Sequence, residues 1–481
     1  MGLVFLTDNY HFVIYKATLI LTMKKNPMQN SLVSKYNVPG PRYTSYPTVP
    51  YWNNEGFSLS EWKKNVIQSF SESNSEEGIS LYIHLPFCES LCTFCGCNKR
   101  ITKNHSVEIP YLESVLKEWR LYTEILPERP IIKELHLGGG TPTFFSAENL
   151  RFLLKGIFRD ATLAKNPSFS FEGHPNNTNN DHLQTLYDCG FTRVSYGVQD
   201  YNPTVQIAIH RLQPFVNVKR VTESAREIGY TSVGHDIIFG LPFQKKEHVI
   251  YSIEKTKELM PDRIAFYSYA HVPWIKGNGQ RGFKEEDLPS ATEKREMYET
   301  GKQMLEEAGY IEIGMDHFAL KTDSLYKAVE DKKLHRNFMG YTESKTQLML
   351  GLGVSAIGDS WYSFGQNVKN VEEYQDLLEQ GILPVYRGHM LNEEDLIIRK
   401  HILNMMCRLE TYWEDISLQF KELPETLLKL KEMEDDGLIN IDSNKLQITE
   451  KGRPFVRNVC MAFDVLLQRS QPETQLFSMT V

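Results

Sequence analysis

Between residues 79 and 310, short apolar runs alternate with longer amphipathic ones, and this alternation limits the fold more than any other feature of the chain. Strand-like runs occupy 79–87, 131–137, 168–172, 193–198, 231–239 and 263–270. Helical periodicity occupies 111–125, 147–158, 216–228, 248–259 and 292–308. A repeated strand-then-helix order predicts an α/β fold built on a parallel sheet. The runs are rich in Ile, Val, Phe and Tyr, as expected of strands covered by helices. Six units fall short of the eight that close a barrel, so an open, partial (β/α)6 barrel is expected.

The residues that carry chemistry fall at the strand ends. Four cysteines follow the first strand, and Gly138–Thr141 follow the second. Glu172 ends the third, Gln199 and Asp200 end the fourth, Asp236 lies in the fifth, and Ala270 and His271 end the sixth. Barrel-type folds collect their active sites on that edge.

The cysteine segment reads Tyr82-Ile-His-Leu-Pro-Phe-Cys-Glu-Ser-Leu-Cys-Thr-Phe-Cys-Gly-Cys97. Thiolates are the usual ligands of iron–sulfur clusters. Cys88, Cys92 and Cys95, spaced CxxxCxxC, can bind three irons of a [4Fe–4S] cluster and leave the fourth open to an outside ligand. A zinc site of four cysteines, or of three with His84, is chemically possible. Structural zinc sites, however, usually bring ligand pairs from separated turns. A disulfide pair is a further alternative. Cys97 as a fourth ligand would close the cluster, so it is expected beside the cavity. Cys189, Cys407 and Cys460 are scattered and read as buried free thiols.

Gly138-Gly-Gly-Thr-Pro-Thr143 lacks the Lys of a phosphate-binding P-loop and the spacing of a dinucleotide fingerprint. Its glycines are expected to let a ligand approach the backbone and to leave N–H groups free to bind it. Carboxylates at Glu172 and Asp236 suit an amino group or a ribose hydroxyl.

The 481 residues suggest one large domain and one smaller one. A net charge of −8 and a pI near 6.0 argue against non-specific nucleic-acid binding. Asp8 and Lys16 interrupt the apolar stretch 1–22 well short of a membrane span, and no signal-peptide features are evident. Residues 1–22 are therefore expected to lie upstream of the true start, with Met23 and Met28 following. No later segment reads as a membrane span, which points to a cytoplasmic protein.

The sequence divides into an extension (1–30), an N-terminal substrate-covering segment (31–78), the partial barrel (79–364) and a C-terminal domain (365–481). Residues 276–282 and the acidic stretch after them read as an exposed loop. In the C-terminal part, 374–378, 393–406 and 425–433 read as helices and 437–449 as a hairpin. The result is a mostly helical α+β domain like a winged helix. In so acidic a chain, covering substrate is the better reading for it than binding DNA.

Together these residues resemble the radical S-adenosylmethionine superfamily, and within it the oxygen-independent coproporphyrinogen III oxidase family. The likeness runs from Lys35 to about Ala462. It rests on Gly40-Pro-Arg-Tyr-Thr-Ser-Tyr-Pro-Thr48, Cys95-Gly-Cys-Asn-Lys99, Tyr196-Gly-Val-Gln-Asp200, Gly314-Met-Asp-His-Phe-Ala319 and Leu334-His-Arg-Asn-Phe-Met-Gly-Tyr341. The first two are missing from the related haem-chaperone branch.

The resemblance implies a [4Fe–4S] cluster and two molecules of S-adenosyl-L-methionine. Tyr82, Gly139, Glu172 and Ile357 would surround the first molecule. The second would lie near Phe94, Gly96, Gly140, Thr141, Gln199, Arg211, Asp236 and Ala270. Arg211 would pair with a carboxylate. Tyr82, Cys97 and Arg211 are the expected catalytic residues, and a flexible 43–46 segment, Cys97 and the C-terminal domain would cover the substrate. One departure is His174, where the family usually carries a second acidic residue.

The implied reaction is the conversion of two propionates of coproporphyrinogen III to vinyl groups by a 5′-deoxyadenosyl radical, giving protoporphyrinogen IX for haem biosynthesis. An electron donor such as flavodoxin or ferredoxin, a monomeric state and no nucleic-acid or membrane partner are expected with it. The alternative is a haem-binding or haem-delivery protein of the same superfamily without decarboxylase activity. A radical enzyme acting on another tetrapyrrole would share the same site.

Overall fold

The structure is a computed structural model that describes residues 27–273, 279–470 and 476–480, with side chains from residue 32 and without that of Arg281. The expectation for 1–22, and part of that for the 276–282 loop, falls outside the described residues.

Six parallel strands form the centre: β1 (Ile79–Leu85), β2 (Ile131–Gly139), β3 (Thr162–Gly173), β4 (Phe191–Gln199), β5 (Ser232–Phe239) and β6 (Arg263–Ser268). Each pairs in parallel with the next. The longer helices around it are α1 (Leu59–Ser73), α2 (Glu108–Ile125), α3 (Ala147–Arg159), α4 (Asn180–Asp188), α5 (Phe215–Ile228), α6 (Lys246–Leu259) and α7 (Ala291–Glu307). In α3, Leu150, Leu153, Leu154 and Ile157 form one buried stripe, and the Ser146 side chain caps the N-terminus by accepting from Asn149 N. Helix α4 was not predicted. It is short, with Leu183 and Leu186 as its buried apolar residues, and an Asn179–His182 capping box fixes its start.

The sheet extends beyond the six units. Strands β7 (Tyr310–Gly314) and β8 (His317–Leu320) add an antiparallel hairpin to β6. On the other side β9 (Leu348–Leu352) pairs in parallel with β1, followed by antiparallel β10 (Ile357–Asp359), β11 (Ser363–Asn367) and β12 (Val385–Met390). The order is β12-β11-β10-β9-β1-β2-β3-β4-β5-β6-β8-β7, with β12 and β7 as edges, so the barrel is open.

The expected domain boundary at 364/365 cuts through β11. The sheet continues to Met390, because β11 and β12 complete their hydrogen bonding on β10 rather than in the C-terminal domain. Helix α8 (Val371–Glu379) also packs on α2 of the barrel. The C-terminal unit then comprises α9 (Glu393–Arg408), α10 (Leu423–Asp435) and α11 (Val456–Phe463). With them is a three-stranded sheet of Glu410–Tyr412, Lys445–Ile448 and Ile439–Ile441, a winged-helix-like arrangement.

The N-terminal segment does not act as one cover. Leu32, Val33, Tyr36, Tyr43 and Tyr46 join the C-terminal core, whereas Trp62, Val66 and Phe70 of α1 join the barrel core. Tyr43 and Tyr46, expected to be flexible, are 2% and 1% exposed. The Tyr43 hydroxyl donates to Asp464, and Arg336 and Arg457 clamp the carbonyls of residues 40–43.

Glu118 of α2 is fully buried and accepts from Tyr374 Oη (2.6 Å), Asn367 Nδ2 (2.6 Å) and Gly353 N (2.8 Å), locking α2 to the β9–β11 extension. Burial pushes its carboxyl up to about 7, against the opposing effect of these donors. Folded Glu118 therefore holds its proton at pH values where an unfolded glutamate has lost it. Its contribution to stability is present below about pH 4.5 and is lost as pH rises to about 7. The loss is on the order of 3 kcal/mol. Urea unfolding at pH 5 and pH 8 should show a fall that Glu118→Gln reduces; an equal fall in both proteins would remove Glu118 as its source.

Candidate active site

The cysteine loop leaves the end of β1 and is fastened at both ends. Residues Phe87–Cys88 pair in parallel with Arg100–Ile101, and Thr102 N donates to the Cys88 carbonyl. Thr93 bonds the carbonyls of Ile209 and Ala208, tying the loop to the turn that carries Arg211. Gln280 donates to the carbonyls of both Phe94 and Ala270, bringing two predicted cofactor residues to one side chain. Lys99 Nζ folds back on the carbonyls of Cys95 and Cys97.

A cavity of about 1370 Å³ opens over this loop. Cys88, Cys92, Cys95 and Cys97 line it, with Phe94, Gly139, Gly140, Thr141, Glu172, Gln199, Arg211 and Asp236. It exceeds the roughly 300–1,000 Å³ typical of a pocket for one small molecule. Tyr82, Gly96, Ala270 and Ile357 do not line it. Gly96 is exposed on the loop. Tyr82 lies beneath, its ring stacked on His136, and a Cβ on Gly138 would touch both Tyr82 and Glu172 Oε1. Ile357 packs its backbone against Gly351, the residue paired with Tyr82.

The Gly138–Gly140 backbone is used differently from expectation. Its N–H groups at 139 and 140 are taken, by Glu172 Oε2 (3.2 Å) and by the Leu85 carbonyl (2.9 Å). A Cβ on Gly140 would lie 2.5 Å from the Pro86 carbonyl oxygen, and one on Gly139, at φ +113°, 2.7 Å from the His84 ring. These glycines let β2 close against the start of the cysteine loop. His84 in turn bonds Tyr82 Oη and the Asn98 carbonyl, spanning the loop.

The carboxylates are aimed from within the barrel. Glu172 Oε1 is 3.6 Å from His136 Nε2, and His136 Nδ1 bonds Ser170 Oγ, which accepts from Arg193. Asp236 Oδ1 accepts from Ser195 Oγ at 2.9 Å. Burial, and then Glu172 nearby, push the Asp236 carboxyl up to about 7. Arg211 donates to the Gly197 carbonyl (2.5 Å) and approaches Cys92 Sγ (3.7 Å), while its buried Nε has no partner. His174 also lines the cavity, and burial with the nearby Arg211 pushes it down to about 2, so the ring is neutral. Of these residues, sequence reasoning missed Thr93, His136, Ser195 and Gln280, and it named His84 only as a possible zinc ligand. Their functional sign is a position at a strand end or loop, which many polar residues share.

The cysteines suit a cluster. All are free thiols. Thr141 Oγ1 donates to Cys88 Sγ, and the Cys97 thiol, with Lys99, holds the Cys95 thiol below its ordinary range against the effect of burial. The hydrogen bond and the nearby cation favour a thiolate, the form that binds iron, at Cys95, whereas at Cys88 burial outweighs Thr141 and pushes the thiol up to about 11. Among the described residues, no three His, Cys, Asp or Glu side chains converge as ligands of a single ion would. Three cysteines set around a cavity are compatible with a cluster in which each binds a different iron.

A model of the radical SAM superfamily matches residues 82–255. The chain is 40% identical over 441 residues to an oxygen-independent coproporphyrinogen III oxidase of Helicobacter pylori, covering 90% of this chain and 96% of that one. It is 36% identical over 464 residues to the protein of the same name from Escherichia coli, covering 94% and 98%. A solved structure of coproporphyrinogen III oxidase from Escherichia coli, described as a radical SAM enzyme, matches with a TM-score of 0.82 at 36% identity, over 88% of this chain and 97% of that one. With a cysteine-lined cavity at the strand ends and relatives aligned over nearly their whole length, the chain belongs to the oxygen-independent coproporphyrinogen III oxidase family of radical SAM enzymes.

Proposed function

We propose that this enzyme oxidatively decarboxylates two propionate side chains of coproporphyrinogen III to vinyl groups without oxygen, giving protoporphyrinogen IX in haem biosynthesis. The observation that carries this reading is one cavity lined by the three CxxxCxxC thiols together with Glu172, Asp236 and Arg211. When bound, the [4Fe–4S] cluster and S-adenosyl-L-methionine would supply hydrogen-atom abstraction from a carbon of the propionate side chain.

The protein binds, orients and shields. Cys88, Cys92 and Cys95 would hold the cluster. Glu172 meets the amino group of a first S-adenosyl-L-methionine, with Tyr82, Gly139 and Ile357 around it. Arg211 and Asp236 meet the carboxylate and polar groups of a second, beside Phe94, Gly96, Gly140, Thr141, Gln199 and Ala270. Cys97 faces the substrate side. A flavodoxin or ferredoxin would serve as electron donor, and the enzyme works as a cytoplasmic monomer. No described helix is long and apolar enough to cross a membrane.

The test is an anaerobic assay with reductant, S-adenosyl-L-methionine and coproporphyrinogen III. Two molecules of carbon dioxide and two vinyl groups per substrate are expected. Retention of haem without turnover would overturn the reading in favour of a carrier.

A further inference from the structure

A smaller cavity of about 70 Å³ lies away from the cysteines, where the 40–43 segment, α7 and the C-terminal domain meet. Its walls carry five cationic side chains, Arg42, Lys294, Arg295, Arg453 and Arg457, against two carboxylates, Glu312 and Asp316. Arg42 pairs with Asp316 at 3.0 Å, and Glu312 is engaged by Lys302 from outside the cavity and by Tyr298 of its wall. Outside the lining, Glu299 pairs with Arg295 and Glu450 with Arg453, whereas Lys294 and Arg457 donate to carbonyls, so the local excess is positive by these two groups, in a chain whose net charge is −8.

Carbonyls satisfy many of the donors. Arg457 donates to those of Gly40, Pro41 and Met479, Arg453 to that of Glu312, and Lys294 to that of Tyr269. A carbonyl meets an N–H but does not neutralise the charge behind it. Arg295 and Arg453 each keep a buried Nε without a partner, and the Arg295 side chain is only 10% exposed. An unmet buried donor on a charged group is costly unless something binds there. Burial, with Arg42 repelling, also pushes Lys294 down to about 8 and Arg457 to about 9.

We propose that this seam cavity binds an anionic group of the carboxylate or phosphate class, held by Arg295, Arg453 and Lys294. Planar guanidinium groups match the paired oxygens of such anions. The space suits one such group. The site backs onto the end of β6, because Arg42 donates to the Ser268 carbonyl and Lys294 to that of Tyr269, next to Ala270. Two sources share this chemistry: a propionate of the macrocycle, which rests on the function proposed above, and a free anion such as phosphate.

The test measures inorganic phosphate binding to the full-length protein by calorimetry and thermal melting, at constant ionic strength against chloride. Phosphate should raise the melting temperature of wild type, and Arg295→Met should weaken its binding at least about tenfold, the loss expected for a charge-assisted hydrogen bond. If a propionate is the natural occupant, Arg295→Met also raises the KM for coproporphyrinogen III with kcat unchanged, and phosphate competes with substrate. If a free anion is the occupant, KM stays constant while phosphate still binds. Wild type that ignores phosphate, together with an unaltered KM in Arg295→Met, would overturn the proposal. Phosphate binding needs no turnover, so it stays measurable even if the decarboxylase reading fails.

Discussion

Cys92→Ser is expected to yield a folded protein that holds little or no iron and forms no product. Cys92 sits in a loop after β1, and its sulfur is approached by Arg211 Nη1 at 3.7 Å. The loop is held by backbone bonds at Thr93, Arg100 and Thr102, none of which involves the Cys92 side chain. Replacing the thiol with a hydroxyl should therefore cost about 1 kcal/mol of stability or less. It removes a soft ligand that iron–sulfur clusters require. Iron content, the brown absorbance of reconstituted protein and a thermal melt check the three parts of this expectation. Full iron content in the variant would refute Cys92 as a ligand.

Trp62→Ala should give the largest loss of stability for one side chain, about 3–5 kcal/mol. Trp62 on α1 is fully buried and fills the space left by two glycines, since a Cβ on Gly358 or Gly365 would lie 2.9–3.0 Å from its ring. Its Nε1 also donates to Tyr122 Oη, so removal strands that hydroxyl in the core. The void would lie beneath β10 and β11, beside Ile357. Chemical denaturation measures the loss. A change below about 1 kcal/mol would mean that the core closes over the gap.

The local parts of this protein were legible in its sequence. The six strands of the barrel were found because alternation and apolar periodicity are properties of neighbouring residues. The grouping of Cys88, Cys92 and Cys95 at the end of the first strand was legible because their chemistry and spacing both sit within one turn-sized segment. The extension from β9 to β12 was not found. Its strands are three to six residues long, too short for a period to show, and they join the barrel through a partner far away in the chain, Leu350 pairing with Leu81. The N–H groups of Gly139 and Gly140, expected to be free, are taken within the chain by Glu172 and Leu85, which again depends on tertiary packing. Small residues admit either a ligand or a neighbouring strand, and what occupies the space depends on where His84 and Pro86 are brought.

By itself the sequence determined a parallel α/β sheet, a thiol-rich loop at the end of its first strand and polar residues at the ends of the others. Only the tertiary structure decided which groups meet. It sets Arg211 beside Cys92, ties Ala270 to Phe94 through Gln280, aims Glu172 with His136, and buries Tyr43 and Tyr46 in the C-terminal core. Periodicity and motif spacing act over a few residues, whereas these contacts join segments tens to hundreds of residues apart, and only the packing of the whole chain selects them.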